Sequence, residues 1–140
     1  HVSWARNNRS GLIRVPIPKR GNPSATRLEF RSPDPACNPY LAFSVMLAAG
    51  MRGIEQGYEL PPEAEANLFE LNDSQLASRN IAQLPQSLSE AVNAMSRSEL
   101  VAECLGEHMF EWFLRNKRRE WAAYKTQISQ FELDRYFRGV

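Results

Sequence analysis

Cysteine is scarce in this chain: among 140 residues only Cys37 and Cys104 carry a thiol. They lie far apart and fit no metal-binding or redox spacing. That excludes a disulfide framework and leaves the reduced thiols of a cytoplasmic protein as the expectation. Long apolar runs are missing too. No stretch approaches the roughly 20 residues that cross a bilayer, so no membrane partner is expected. The first residues lack the apolar core of a signal peptide, and the opening His1-Val-Ser-Trp4 has no initiator methionine. It reads as the middle of a domain, so the chain is expected to be a piece of a longer one. An excess of charge of one sign is also absent, with 17 Lys and Arg against 16 Asp and Glu. The total therefore says nothing about partners. No internal repeat or low-complexity tract interrupts a composition ordinary for a globular protein, 43% hydrophobic and 24% charged.

What is present is unevenly spread. Residues 1–31 hold seven basic side chains (Arg6, Arg9, Arg14, Lys19, Arg20, Arg27, Arg31) and one acid, Glu29, a local charge of +6. The remainder holds ten basic and fifteen acidic side chains, a local charge of −5. Such asymmetry points the first segment toward anions.

The same segment reads as strands and loops. Leu12-Ile-Arg-Val15 is a β-rich run stopped by Pro16 and Pro18, residues 19–24 form a turn with Gly21, Asn22 and Pro23, and Thr26 to Arg31 alternates. Leu28 and Phe30 take one face, Arg27, Glu29 and Arg31 the other. The expectation is an antiparallel pair. From Asn38, a good N-cap followed by Pro39, residues 39–55 predict a helix apolar nearly all round, with Leu41, Phe43, Val45, Met46, Leu47 and Ile54. A helix of that kind is expected to be buried. Residues 58–86 read as a polar connector with one short helical possibility from Glu63 to Leu71. Ser87-Leu-Ser-Glu90 and Ser96-Arg-Ser-Glu99 are capping boxes that predict helices over 88–95 and 97–105. A longer amphipathic helix follows over 107–127, with Phe110, Phe113, Leu114, Trp121, Tyr124 and Ile128 as its stripe. Ser129-Gln-Phe-Glu132 opens a tail helix through Phe137. The class is α+β: an antiparallel strand pair from a larger catalytic sheet, then a helical C-terminal region. Its parts are active-site strands and loops (1–36), a buried helix (38–57), a connector (58–86), helices (87–128) and a C-terminal arm (129–140).

The chemistry concentrates in Arg27-Leu-Glu-Phe-Arg31. Two readings stand. A carboxylate between two guanidiniums suits a surface ladder of ion pairs. Arg9 and Arg14, on or near the partner strand, would bring four arginines around one carboxylate, an excess of cation that is costly to assemble unless anions are bound there. Arginine grips carboxylates and phosphates bidentately, and a lone acid among arginines suits a divalent cation that bridges phosphate oxygens.

The segments Asn8-Arg-Ser-Gly-Leu-Ile-Arg-Val-Pro16 and Arg27 to Tyr40 resemble the paired strands near the end of the type I glutamine synthetase catalytic domain. The resemblance continues through Asn38 to Gly50. Leu105 to Phe113 and Glu120 to Gln127 resemble the form found in Gram-positive bacteria and relatives. It implies that Glu29 is a ligand of a catalytic Mg²⁺ or Mn²⁺ ion. It implies that Arg9 is the catalytic arginine on the transferring phosphate and, with Arg31, holds the substrate glutamate. Arg9, Arg14 and Arg27 would act on ATP. The implied activity is a cytoplasmic glutamate–ammonia ligase that phosphorylates the glutamate side chain with ATP before ammonia displaces phosphate. Dodecamers of two hexameric rings are implied for the full-length protein. Ser24 stands where many family members have a basic residue, with Lys19 or Arg20 as substitutes. Phe69, in Asn67-Leu-Phe-Glu-Leu71, replaces the tyrosine of adenylylated forms and has no hydroxyl to modify.

Other signals stay with structural readings: Glu107-His108-Met-Phe-Glu111 as a single helical set, and Arg115 to Arg119 as a solvated helix face with no nucleic acid partner. Two further functions compete, a ligase joining glutamate to a larger amine such as a polyamine or ethanolamine, and a non-catalytic helical interaction module. The chain alone is expected to be inactive, because one metal-binding carboxylate is too few for a hard divalent ion.

Overall fold

The computed structural model describes residues 1–18 and 21–137, which fall into two compact units, His1–Leu84 and Pro85–Val140. Lys19 and Arg20, the substitutes for a basic residue at Ser24, lie outside the described residues.

The first unit opens on a small sheet, and the expected antiparallel pair is its larger part. Strand β2 (Ile13–Arg14) pairs antiparallel with β3 (Glu29–Phe30), Ile13 facing Phe30 and Arg14 facing Glu29. The backbone bond from Arg31 N–H to the Leu12 carbonyl, 3.0 Å, extends the ladder. A third strand, β1 (Trp4–Ala5), adds parallel to β2, so the sheet has order β1-β2-β3 rather than being a pair alone. Nothing in Trp4-Ala5 alternates over enough positions to predict it. Its partners are supplied from afar: Ala64 N–H donates to the Trp4 carbonyl at 3.0 Å, and Val2 N–H to the Ala82 carbonyl at 2.7 Å.

Helix α1 (Pro39–Glu55) forms where expected, with the Asn38 side chain accepting from the amides of Tyr40 and Leu41. The expected burial does not follow: no residue of α1 is buried, and Tyr40, Phe43, Leu47 and Ile54 are two-thirds or more exposed. The reason is one of area. A helix of 17 residues is about 26 Å long, and two-residue strands present no sheet face wide enough to cover it.

Residues 58–86 are more than a connector. A 3₁₀ turn at Leu68–Glu70 is capped by Asn67, and helix α2 (Asp73–Ser78) carries a complete capping box between Asn72 and Gln75. Leu68 and Leu76 meet Ala64 in the core of this unit, with Leu71 and Ile81 packed around them.

In the second unit Ser87 caps α3 (Leu88–Ser96) through the Glu90 amide. The predicted cap at Ser96 is displaced to Ser98, which accepts from Val101 N–H and starts α4 at Glu99. Ser96 Oγ is already bonded to the Asn93 carbonyl at 2.9 Å, at the end of α3. The run α4 (Glu99–Tyr124) joins the two predicted helices across Gly106, which is non-helical at φ 72° and ψ 156°. Phe110 and Leu114 of the predicted stripe are buried against Val92, with Leu88, Met95, Val101, Ala102 and Leu105 packed on them. Its far end is not buried: Tyr124 and Ile128 are exposed. Ser129 and Glu132 form a complete capping box at α5 (Gln130–Glu132), and a wider helical turn, Leu133–Phe137, carries the tail on with no buried residue.

Candidate active site

Sheet geometry alone gathers the charges. Arg14 stands directly across from Glu29 in the β2–β3 register, and opposite residues project to the same face. Arg27 and Arg31 flank Glu29 at two-residue spacing and share that face. Arg14 Nη1 lies 3.2 and 3.0 Å from the two Glu29 oxygens, a forked contact. Arg27 Nη2 donates to Oε1 at 3.1 Å, and Arg31 Nη2 stands 3.9 Å from Oε2. One carboxylate thus faces three guanidiniums, which leaves a formal excess of two positive charges. Hydrogen bonding from Arg14 holds the Glu29 carboxyl below the usual range; desolvation opposes it, and the charge of Arg14 and the contact with Arg27 add to it.

The side chains are partly open to solvent, at 30% for Arg14, 32% for Glu29 and 32% for Arg31. Ion pairs so exposed add little stability, so stability alone is a weak reason for three arginines here. The Arg14 Nε atom is buried with no hydrogen-bond partner among the described residues. A guanidinium with an unused donor and a site with unbalanced cation both favour an anion.

Arg9 does not join the three on Glu29. Its side chain is exposed, and it enters the cluster by its main chain, whose carbonyl accepts from Arg31 Nη1. Asn8 and Ser10 on either side of Arg9 are held to residues 64–68 by side-chain hydrogen bonds. Sequence reading passed over these two residues, although Asn-x-Ser is a turn pattern in which the Asn oxygen accepts from two residues on; here the Ser10 amide donates to Asn8 Oδ1 at 2.9 Å.

As to divalent metal, Glu29 offers a hard oxygen donor, but no group of three or more His, Cys, Asp or Glu that could hold an ion occurs among the described residues. The fit is that of a single ligand within a larger set. Glu107, His108 and Glu111 are all exposed on α4. The Arg115 to Arg119 face carries a Lys117–Glu120 ion pair at 2.6 Å, as a solvated helix does. Ser24 is exposed and bonds Asn22 Oδ1 at 2.5 Å. Phe69 is 78% exposed. No described helix is long and apolar enough to cross a membrane.

Residues 1–136 match the family model "Glutamine synthetase, catalytic domain". The chain belongs to this family. Relatives named glutamine synthetase include one from Mycobacterium tuberculosis, 52% identical over 135 residues, and one from Methanosarcina mazei, 46% identical over 136 residues. Those alignments cover 96% and 97% of this chain but 30% of each relative, so the chain spans about 30% of the length of the family members it matches. A solved structure described as "Apo GmaS without ligand" superposes with a TM-score of 0.77 at 33% identity, over 97% of this chain and 30% of the other. The cryo-electron-microscopy structure of Plasmodium falciparum glutamine synthetase shares the fold, with a TM-score of 0.73 at 22% identity, over 96% of this chain and 33% of that one.

Proposed function

We propose that this chain is the C-terminal part of an ATP-dependent glutamate–ammonia ligase and supplies one wall of its active site. The observation that carries this reading is the cluster of Arg14, Arg27 and Arg31 on Glu29. Family membership over residues 1–136 supports the reaction class. Phosphoryl transfer asks a protein for alignment and charge neutralisation more than for covalent chemistry, and arginines supply both. Arg14 and Arg27 bind the nucleotide phosphates, Arg31 grips the glutamate carboxylate, and Arg9 reaches the phosphate in transfer as the catalytic arginine. Glu29 is one ligand of a divalent cation, Mg²⁺ or Mn²⁺, with the other ligands outside these residues. When bound, that ion offsets phosphate charge and orients the phosphates. Glu29 also spaces the three arginines, holding their forks apart until substrate anions take over the contacts.

The exposed face of α1, bearing Phe43, Leu47 and Ile54, is covered in the full-length protein by the part of the polypeptide that these residues do not include. The full-length protein assembles as two hexameric rings. The test is a product assay on the full-length protein with glutamate, ATP and either ammonia, ethanolamine or a polyamine. Glutamine formed from ammonia in preference supports the proposal. Turnover confined to a larger amine overturns the choice of acceptor, and no turnover with any amine favours a non-catalytic helical module.

A further inference from the structure

We propose that Asn8 and Ser10 are positioning residues that tie the main chain of Arg9, and through it the Arg31 guanidinium, to the segment 64–68, whose Ala64 and Leu68 are buried. The inference rests on the ligase reading above for what Arg31 binds, but its geometry stands apart from it. The Asn8 side-chain amide donates to the carbonyls of Ala64 at 2.8 Å and Ala66 at 2.5 Å. Its oxygen accepts from the Ser10 amide at 2.9 Å and the Ser10 hydroxyl at 2.7 Å. Both donors and both lone pairs are therefore used, and the side chain can sit only one way round. The Ser10 hydroxyl oxygen in turn accepts from the Leu68 amide at 3.1 Å. Leu68 is fully buried beside Ala64 and Leu76, so the far end of this knot is anchored in the core of the unit.

The near end holds Arg9 between Asn8 and Ser10, and the Arg9 carbonyl accepts from Arg31 Nη1. Arg14 does not depend on this knot. It belongs to β2, which is paired on both sides, and the Val15 amide beside it donates to the Ala5 carbonyl at 2.9 Å. Arg27 contacts Glu29 without touching the knot. Loosening residues 8–10 thus displaces Arg9 and Arg31 and spares Arg14 and Arg27. Under the proposed roles, the cost falls on glutamate binding through Arg31 and on the rate of phosphoryl transfer through Arg9, while Arg14 and Arg27 keep the nucleotide bound.

Two variants of the full-length protein test this. Asn8→Asp places an oxygen against two carbonyls in place of two donors, and Ser10→Ala removes the acceptor for the Leu68 amide. In each the KM for glutamate is expected to rise on the order of tenfold, since small misplacements of a binding group are costly, with the KM for ATP changed less than about twofold. Ser10→Thr, which keeps the hydroxyl, recovers most of the glutamate affinity lost in Ser10→Ala. A merely structural role moves both KM values together, and that result, or no change in either, overturns the proposal. A second readout is independent of turnover. Hydrogen exchange at the Leu68 amide is expected to quicken on the order of tenfold in Ser10→Ala relative to the Leu76 amide of the same core. If the wild-type protein makes no product with any amine, the ligase reading fails, and the knot is then judged by Leu68: unchanged exchange overturns it, and selective quickening upholds it.

Discussion

Glu29 is a carboxylate that Arg14 and Arg27 keep ionised, and the sign of that effect can be measured. Its folded-state pKa lies below the ordinary value, chiefly through the Arg14 hydrogen bond. The stability it lends is therefore present above the unfolded pKa, near about 4.3, and is lost only as pH falls through the lower folded value. The difference in Tm between wild type and Glu29→Gln is expected to hold from pH 7 to about pH 5 and to shrink below about pH 4. A difference that fades already near pH 6 contradicts the assignment. Arg31 has a different signature. Arg31→Lys exchanges a flat fork for a point charge, so the glutamate requirement should rise strongly while nucleotide affinity stays nearly unchanged in steady-state kinetics. Much at this scale was legible in the sequence: the alternation from Thr26 to Arg31 placed Arg27, Glu29 and Arg31 on one face. The register that sets Arg14 across from Glu29 was not, because two short strands admit several pairings. Arg9's part was hidden for another reason. It acts in the cluster through its carbonyl, which every residue has.

At the scale of elements, caps were legible where a helix long enough to show apolar periodicity followed them. The cap expected at Ser96 gave way to Ser98, since the Ser96 hydroxyl is bonded within α3. Helix α2 was missed although Asn72 and Gln75 carry the three-residue spacing of a capping box. Its short length, six residues, gave no periodicity to confirm the cap. Gly106 falls between the helices expected over 97–105 and 107–127, and no conformation was expected of it. The structure makes it the kink of α4, at a backbone conformation reserved almost wholly to glycine. Gly106→Ala should therefore cost roughly 1–3 kcal/mol in chemical denaturation. A substitution that leaves stability unchanged would show that α4 can straighten there without strain. The apolar pattern of α1 was equally plain, but what covers a face is not written in that face. Its exposed Phe43, Leu47 and Ile54 show that pattern predicts a need for burial, not the partner that meets it.

For the molecule as a whole, the same need appears at the tail. Ile128, Phe131, Tyr136 and Phe137 are all exposed, and a helix as short as the one opened by Ser129 is marginal in water without a surface to lie on. We propose that they dock on a neighbouring subunit across the two rings. Each large apolar side chain buried there contributes roughly 1.5–3 kcal/mol. Deleting residues 129–140 from the full-length protein should part the rings and leave hexamers, as sized by analytical ultracentrifugation. Persistence of dodecamers at low concentration contradicts the arm, and unfolding points instead to a tail that packs on its own subunit. The most direct measurement of all returns to the arginine cluster. Glutamine formation by the full-length protein is followed at limiting Mg²⁺ for wild type and for Glu29→Gln, with circular dichroism to establish that the variant is folded. The account predicts that the folded variant loses most of its turnover, because a neutral amide neither binds Mg²⁺ well nor balances three guanidiniums. Unchanged turnover in a folded Glu29→Gln protein would contradict it.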